Sequence, residues 1–334
     1  MIKVGLNGYG RIGRLVHRIT LEKECGIEIV AINARSEDTQ MRAHLLKYDS
    51  LHGKLNNDIR GEGNKVIIDN KHEVTCFAVK DASEIPWTSV GVDIVLECTG
   101  KAKNYEIAAR HLKTGIKKVL VSAPMKDDTP TFVIGVNDKD LKPDQAVVSN
   151  ASCTTNCIAP IIKLVNEKWG IETASVSTIH SFTHSQNLLD NSGRDLRRAR
   201  SAVQSVIPTT TGAVKATAQI IPELKGKIDG MAYRVPIATS SMADIVLHLK
   251  HPTTKDEINQ FFRDISRTPE YEAIIDYSDD PLVSIDYKGN PHSSIVDTEL
   301  TQVIQGTTVK LVAWYDNEVG YANRLVDMIE LMSK

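Results

Sequence analysis

A glycine-rich turn, Gly8-Tyr9-Gly10-Arg11-Ile12-Gly13, stands between an apolar β-type run at 2–7 and a helical pattern carried by Ile12, Leu15, Val16, Ile19 and Leu21. Few features restrict a chain more. Glycines at this spacing let the backbone leave a strand in a tight turn and bring its N–H groups close to a pyrophosphate, which the helix N-terminus then stabilises. The spacing alone also fits a plain turn. Its place inside a strand–turn–helix unit selects the dinucleotide reading, with Gly8 and Gly10 at the phosphates.

The surrounding pattern agrees. Apolar β-rich runs at 2–7, 28–33, 92–98, 119–122 and 131–135 alternate with helical stretches at 12–21, 39–46 and, capped by Asn104, 104–113. That alternation predicts a doubly wound parallel sheet flanked by helices. Runs at 65–69 and 73–79 read as an antiparallel hairpin added to it. From residue 152 the pattern changes to a helix at 155–168, longer strands at 173–180, 231–235, 241–249 and 309–314, and helical stretches at 212–221 and 255–265. Fewer crossovers between longer strands predict an α+β second domain. A polar stretch at 181–206 has no clear periodicity, and a loop of that length is usually functional. A last helix is expected at 320–332. With 334 residues, two domains fit the usual size of about 150 residues each.

Forty Lys and Arg against 42 Asp and Glu leave a formal charge of −2, which gives no reason to expect nucleic acid or an anionic membrane as a primary partner. No apolar run approaches the roughly 18 residues of a membrane span, and no secretory pattern precedes the first strand, so a soluble cytoplasmic protein is expected. Five cysteines are too sparse for a disulfide framework; reduced thiols are the default, and no metal site is expected.

Among those thiols Cys153 stands out. It lies in Ser152-Cys153-Thr154-Thr155-Asn156-Cys157, immediately before a helical pattern whose N-terminus favours a thiolate. Cys25, Cys76 and Cys98 read as small buried hydrophobes. His180, closing the strand at 173–180, is a candidate partner for the thiol. Thr209-Thr210-Thr211-Gly212 leads into a helix and offers hydroxyls with free N–H groups, while Arg234, inside a strand, is expected to meet an acid or an anion. Arg194, Arg197, Arg198 and Arg200 read first as a solvated or subunit-contacting loop, with Arg198 the candidate for a phosphate site. At the end of the second strand, about 20 residues past the glycines, the carboxylate that holds the ribose 2′-hydroxyl of NAD is missing. Asn33-Ala34-Arg35-Ser36 stands there, with Glu37 and Asp38 the nearest acids, and an arginine without a carboxylate favours NADP.

Taken together, Asn7 to Arg14, Ala151 to Asn156, Pro208 to Gly212 and Trp314-Tyr315-Asp316-Asn317-Glu318 resemble the phosphorylating glyceraldehyde-3-phosphate dehydrogenases of bacterial and organellar type, over essentially the whole chain. The resemblance implies a Rossmann-type NAD(P)-binding domain at 1–151, completed by a C-terminal helix at 317–334. It also implies a catalytic domain at 152–316 with a mostly antiparallel sheet and a long S-shaped loop at 181–206 that reaches a neighbouring cofactor in a homotetramer. It implies Cys153 as nucleophile and His180 as its activator. Arg11, Ile12, Thr99, Gly100 and Ser122 would line the cofactor, and Asn317 would orient the nicotinamide. Ser152, Thr154, Thr211 and Gly212 would hold inorganic phosphate, and Thr183 and Arg234 the substrate phosphate, with Arg198 nearby. NAD-type members carry Asp where Ala34 stands and Leu-Pro where Asn191-Ser192 stand; a small residue and Ser192 resemble the NADP-using forms, with Lys80 a further cationic contact. Ser185, Thr239 and Val319 depart from the common pattern. Pro281-Leu282-Val283-Ser284 and Pro291-His292-Ser293 resemble erythrose-4-phosphate dehydrogenases, the alternative reading.

Overall fold

The computed structural model describes every residue of the chain except Arg194, and divides into two compact units. Unit 1 comprises Met1–Phe132, Lys139–Ala151 and Ala322–Lys334; unit 2 comprises Val133–Asp138 and Ser152–Tyr321.

In unit 1, β1 (Ile2–Asn7), α1 (Arg11–Glu22), β2 (Ile27–Asn33) and α2 (Thr39–Lys47) follow the glycine turn, and a small ribbon of β3 (Tyr48–Asp49) and β4 (Gly53–Lys54) comes next. After it β5 (Ile59–Glu62), β6 (Lys65–Ile68) and β7 (His72–Phe77) form a meander. Asp69 and Asn70 both have positive φ, 52° and 54°, the conformation a tight hairpin turn requires, and Lys71 N–H bonds back to Ile68 O. Then come β8 (Ile94–Glu97), α3 (Tyr105–Ala108), β9 (Lys118–Val121) and β10 (Val147–Ser149). The sheet order is β10-β9-β8-β1-β2-β7-β6-β5, parallel up to β7 and antiparallel beyond it. Its two-sided burial follows from apolar strands such as Ile94–Glu97, fully buried, with Trp87, Val92, Val95 and Val119 in one core cluster. Burying a side chain such as Trp87 contributes about 3 kcal/mol.

Two expectations are corrected here. Residues 131–135 are not a strand: Thr131 makes a single bridge to Ser149, after which Val136 N–H bonds to Val133 O and Asn137 Oδ1 takes the Val133 N–H, turning the chain back. The sheet edge is β10 instead. The helix from Asn104 is α-helical only through Ala108 and tightens to a 3₁₀ turn over Ala109–Thr114, ended by Gly115 at φ +92°. Asn104 does cap it, accepting from Ile107 N–H at 3.0 Å.

Unit 2 begins with α4 (Cys153–Trp169), then β11 (Ile171–Ser181), β12 (Ile207–Thr209), α5 (Ala213–Ile220), β13 (Ile228–Val235), β14 (Ser241–Leu249) and α6 (Lys255–Ile265). β15 (Ile275–Ser278), β16 (Ser294–Asp297), β17 (Gln302–Ile304) and β18 (Thr308–Tyr315) complete it. The sheet order is β12-β13-β11-β14-β18-β16-β15, mostly antiparallel, with β11/β13 and β15/β16 the parallel pairs. Ile158, Ile161, Ile162 and Val165, at helical spacing on α4, share a core with Val176, Ile245 and Leu311 of the strands. The stretch 182–206 has neither helix nor strand among the described residues. The chain ends in α7 (Val319–Ser333).

Candidate active site

In unit 1 the chain leaves β1 through Gly8 at φ +100°. A Cβ there would sit 2.8 Å from the Cys98 carbonyl carbon and the Thr99 nitrogen, and one at Gly13 would run into the Gly8 carbonyl, so both positions require glycine. Gly10 faces open space and caps α1 without a side chain, leaving a cleared approach to the first turn of the helix. Because β1 lies between β2 and β8, its C-terminal end is the switch point at which folds of this type take ligands. Thr99, Gly100 and Ser122 come to the same edge. Thr99 N–H donates to Glu97 Oε1 at 2.8 Å and its hydroxyl bonds the same oxygen, while Ser122 donates to Glu97 O from N at 3.0 Å and from Oγ at 3.1 Å.

Asn33 braces this edge rather than facing outward: it donates to Asn7 Oδ1 at 2.8 Å and Val79 O at 3.0 Å and accepts from Val79 N–H at 2.9 Å. Ala34 is half-buried; Arg35 and Lys80 are exposed. Asp38, one of the acids near the missing ribose carboxylate, is committed as the cap of α2, accepting from Met41 N–H at 2.8 Å. The Arg11 side chain pairs with Asp49, whose carboxyl is held down at about 2 against the opposing effect of burial. Ile12 is half-buried beside it.

In unit 2 the Ser152 hydroxyl caps α4, accepting from Thr155 N–H at 3.1 Å, which puts Cys153 on the first residue of the helix. His180 is the last but one residue of β11, and the parallel register pairs it with Arg234 of β13, so the two side chains share a face of the sheet. Cys153 Sγ lies 3.5 Å from His180 Nε2. His180 Nδ1 is 2.7 Å from the Ser181 carbonyl oxygen and 2.7 Å from Arg234 Nη1, which also donates to Ser181 O at 3.1 Å. An Nδ1–H donated to the carbonyl leaves the Nε2 lone pair facing the thiol, the tautomer a base needs, and Arg234 then acts on the ring as a neighbouring charge whose hydrogen bond goes to Ser181 O. Burial first, then the Arg234 charge, pushes His180 down to about 3, so the ring is neutral. Burial also raises the Cys153 thiol, outweighing Arg234 and the helix N–H groups that pull it down. Burial and the helix start therefore pull the thiol in opposite directions, beside an imidazole held neutral.

No carboxylate pairs with Arg234 among the described residues; of the two partners expected for it, an anion is the one left open. Arg198 adds to that positive field and donates from Nε to Thr209 Oγ1 at 2.7 Å and from Nη2 to Thr210 O at 3.3 Å. Thr211 Oγ1 accepts from Ala213 N–H at 3.2 Å beside Gly212, the cap of α5. Thr183 bonds Ser185 through their hydroxyls at 2.9 Å, and Arg200 is spent on Asp190 at 2.8 Å. Arg194 lies outside the described residues. Ser192 is exposed in the 182–206 stretch. Asn317 accepts at Oδ1 from Ser181 Oγ and Ser241 Oγ, both 3.0 Å, leaving its amide NH₂ unengaged among the described residues. Thr154 is turned inward: its hydroxyl bonds Tyr315 Oη at 2.9 Å, as does that of Thr178. Tyr315, whose ring lies edge-on to His180, was not singled out from the sequence as a site residue, nor was Ser241. Only the Trp314–Glu318 motif pointed to that strand end.

Fold and site together define a dinucleotide-fold protein with a half-buried cysteine set against a buried histidine. The family profile described as glyceraldehyde 3-phosphate dehydrogenase, NAD binding domain, matches residues 2–105, and that of the C-terminal domain matches 152–317. A glyceraldehyde-3-phosphate dehydrogenase of Geobacillus stearothermophilus is 48% identical over 328 residues, covering 98% of this chain and 97% of its own. Glyceraldehyde-3-phosphate dehydrogenase 2 of Trichormus variabilis is 48% identical over 337 residues, covering 100% and 99%. A glyceraldehyde-3-phosphate dehydrogenase of Borreliella burgdorferi is 45% identical over 341 residues, covering both chains in full. The chain belongs to the glyceraldehyde-3-phosphate dehydrogenase family, of bacterial type.

Proposed function

We propose that the protein carries out the reversible oxidative phosphorylation of D-glyceraldehyde 3-phosphate to 1,3-bisphosphoglycerate, the step shared by glycolysis and gluconeogenesis. The observation that carries this is the 3.5 Å approach of Cys153 Sγ to the neutral His180 Nε2, in a chain of this family. His180 takes the thiol proton as Cys153 attacks the aldehyde carbon, giving a hemithioacetal whose oxyanion the Cys153 N–H and His180 stabilise. The nicotinamide dinucleotide, when bound, supplies the hydride acceptor. Loss of hydride leaves a thioester on Cys153; an oxygen of inorganic phosphate then attacks it and expels the thiolate. Thr183 and Arg234 take the substrate phosphate, with Arg198 nearby, and Ser152, Thr211 and Gly212 take the incoming one; Thr154, its hydroxyl held by Tyr315, is left only its backbone for that role.

The cleared turn at Gly8 and Gly10 fits a dinucleotide, with Arg11, Ile12, Thr99, Gly100 and Ser122 along it, and Asn317, its NH₂ unengaged, suits the carboxamide. NADP is favoured over NAD: no acid stands at Asn33 to Ser36, Asp38 is occupied as a cap, and Arg35, Lys80 and Ser192 are polar and exposed. Unit 1 is the cofactor domain and unit 2 the catalytic one. Leu188, Leu189 and Leu196 are exposed in the 182–206 stretch, as a subunit-contacting loop would be, which supports a homotetramer. A cytoplasmic setting suits five reduced thiols. Erythrose 4-phosphate is the weaker substrate reading, because the Thr209 to Gly212 run suited to inorganic phosphate is intact.

The deciding experiment is the initial rate with glyceraldehyde 3-phosphate, comparing NADP with NAD and the presence with the absence of inorganic phosphate. Phosphate-dependent turnover faster with NADP is expected. Turnover indifferent to phosphate, or confined to erythrose 4-phosphate, would sink the substrate reading; a preference for NAD would sink the cofactor reading alone.

A further inference from the structure

Arg42, on α2, is 5% exposed and carries its charge into the interior of unit 1. Its Nη2 donates to the Ser36 carbonyl and, at 2.9 Å, to the Phe77 carbonyl; Nε and Nη1 are buried with no hydrogen-bond acceptor. No carboxylate answers it among the described residues. Its ionisable neighbours, the Tyr9 phenol and the Cys76 thiol, are both held protonated by burial. An apolar side chain of the same volume would be the more stable occupant of such a position.

The place of this cation gives it a use. Ala34 N–H donates to the same Phe77 carbonyl at 3.1 Å, and Asn33 is tied to Val79 by two hydrogen bonds, so the ends of β2 and β7 are zipped together. Arg35 and Lys80 emerge exposed from those two ends. Arg42 is tied to both ends from the interior. In a sheet of this topology the end of β2 is where an adenosine ribose is held. We infer that Arg42 is a specificity-determining residue: its tethers to Ser36 and Phe77 fix the 34–36 loop, and its unanswered charge favours a ribose 2′-phosphate dianion over a 2′-hydroxyl. This rests on the NADP reading above and adds a residue to it that does not face solvent.

The test measures dissociation constants for NADP and NAD by quenching of tryptophan fluorescence, together with the melting temperature, in the wild type, Arg42→Met and Arg42→Lys. The expected result for Arg42→Met is about tenfold weaker NADP binding, NAD within twofold, and an unchanged or higher melting temperature. Arg42→Lys, which keeps the charge and loses the paired tethers, should lose less. Equal losses for both cofactors, or a lysine variant as impaired as the methionine one, would overturn the inference. The wild-type ratio of the two constants reports separately on the NADP reading, whereas the change in that ratio on substitution reports on Arg42.

Discussion

The turn at Gly8 and the centre at Cys153 are built in opposite ways. The first is made of backbone: a strand end, three glycines and the opening of a helix, all within residues 2–13. The second is made of side chains from three separate elements, Cys153 on α4, His180 on β11 and Arg234 on β13, brought together by strand register. A site made of backbone tolerates most side-chain changes and fails when a Cβ is added. A site made of side chains fails when any one of them is removed, even if the fold is untouched.

The largest expected effect follows from that contrast. Cys153→Ser should lower turnover by about four orders of magnitude or more and leave the cofactor dissociation constant unchanged. His180→Asn should lower kcat by about two to four orders of magnitude and flatten the pH dependence of Cys153 alkylation, again sparing cofactor affinity. Gly8→Ala should do the reverse. At φ +100° and against the Cys98 carbonyl it should cost about 1–3 kcal/mol of stability and weaken cofactor binding, with alkylation of Cys153 unchanged. Coupled losses of both functions in these variants would break the comparison.

A smaller effect sharpens it, because His17 in unit 1 and His180 in unit 2 are both buried as neutral imidazoles. Burial pushes His17 and His180 each down to about 3, with His72 adding to the effect on the former and Arg234 on the latter. Unfolded imidazoles titrate near pH 6.5. Below that pH the unfolded chain binds more protons than the folded one, so stability should fall as the pH drops from about 6.5 towards 3. At pH 5 each ring should account for a loss of about 2 kcal/mol. Denaturant titrations between pH 7 and 5 should show the slope, and His17→Asn or His180→Asn should each remove about half of it.

The same contrast explains what could be read in advance. The glycine turn, the cap at Ser152 and the helix start at Cys153 are local patterns, and local patterns are legible. His180 could be named as a partner only because it closed a strand; that its ring would lie against Arg234 depends on the parallel β11/β13 register, which no local pattern encodes. Burial is equally non-local, and it opposes the thiolate that the helix start favours. Strands β15, β16 and β17 are three or four residues each, too short to show a period. Residues 131–135 mimic a strand by composition, and only Asn137, reaching back to Val133, reveals the turn. Arg42 sits in an otherwise ordinary helical stretch, and nothing in its neighbours announces a buried charge.

The last helix bears on how the chain is made. Residues Ala322–Lys334 belong to unit 1, where Lys23 donates to Asn323 Oδ1 and Lys118 to the Met332 carbonyl. During synthesis, which proceeds from the N-terminus, the unit begun first is therefore finished last. Every contact between its sheet and this helix must wait until about 170 residues of unit 2 have been added, a long loop to close and a slow step in folding. A nascent chain stalled before residue 322 would hold a complete set of unit 2 residues and an unfinished unit 1, exposing on the ribosome the apolar surface that α7 later covers.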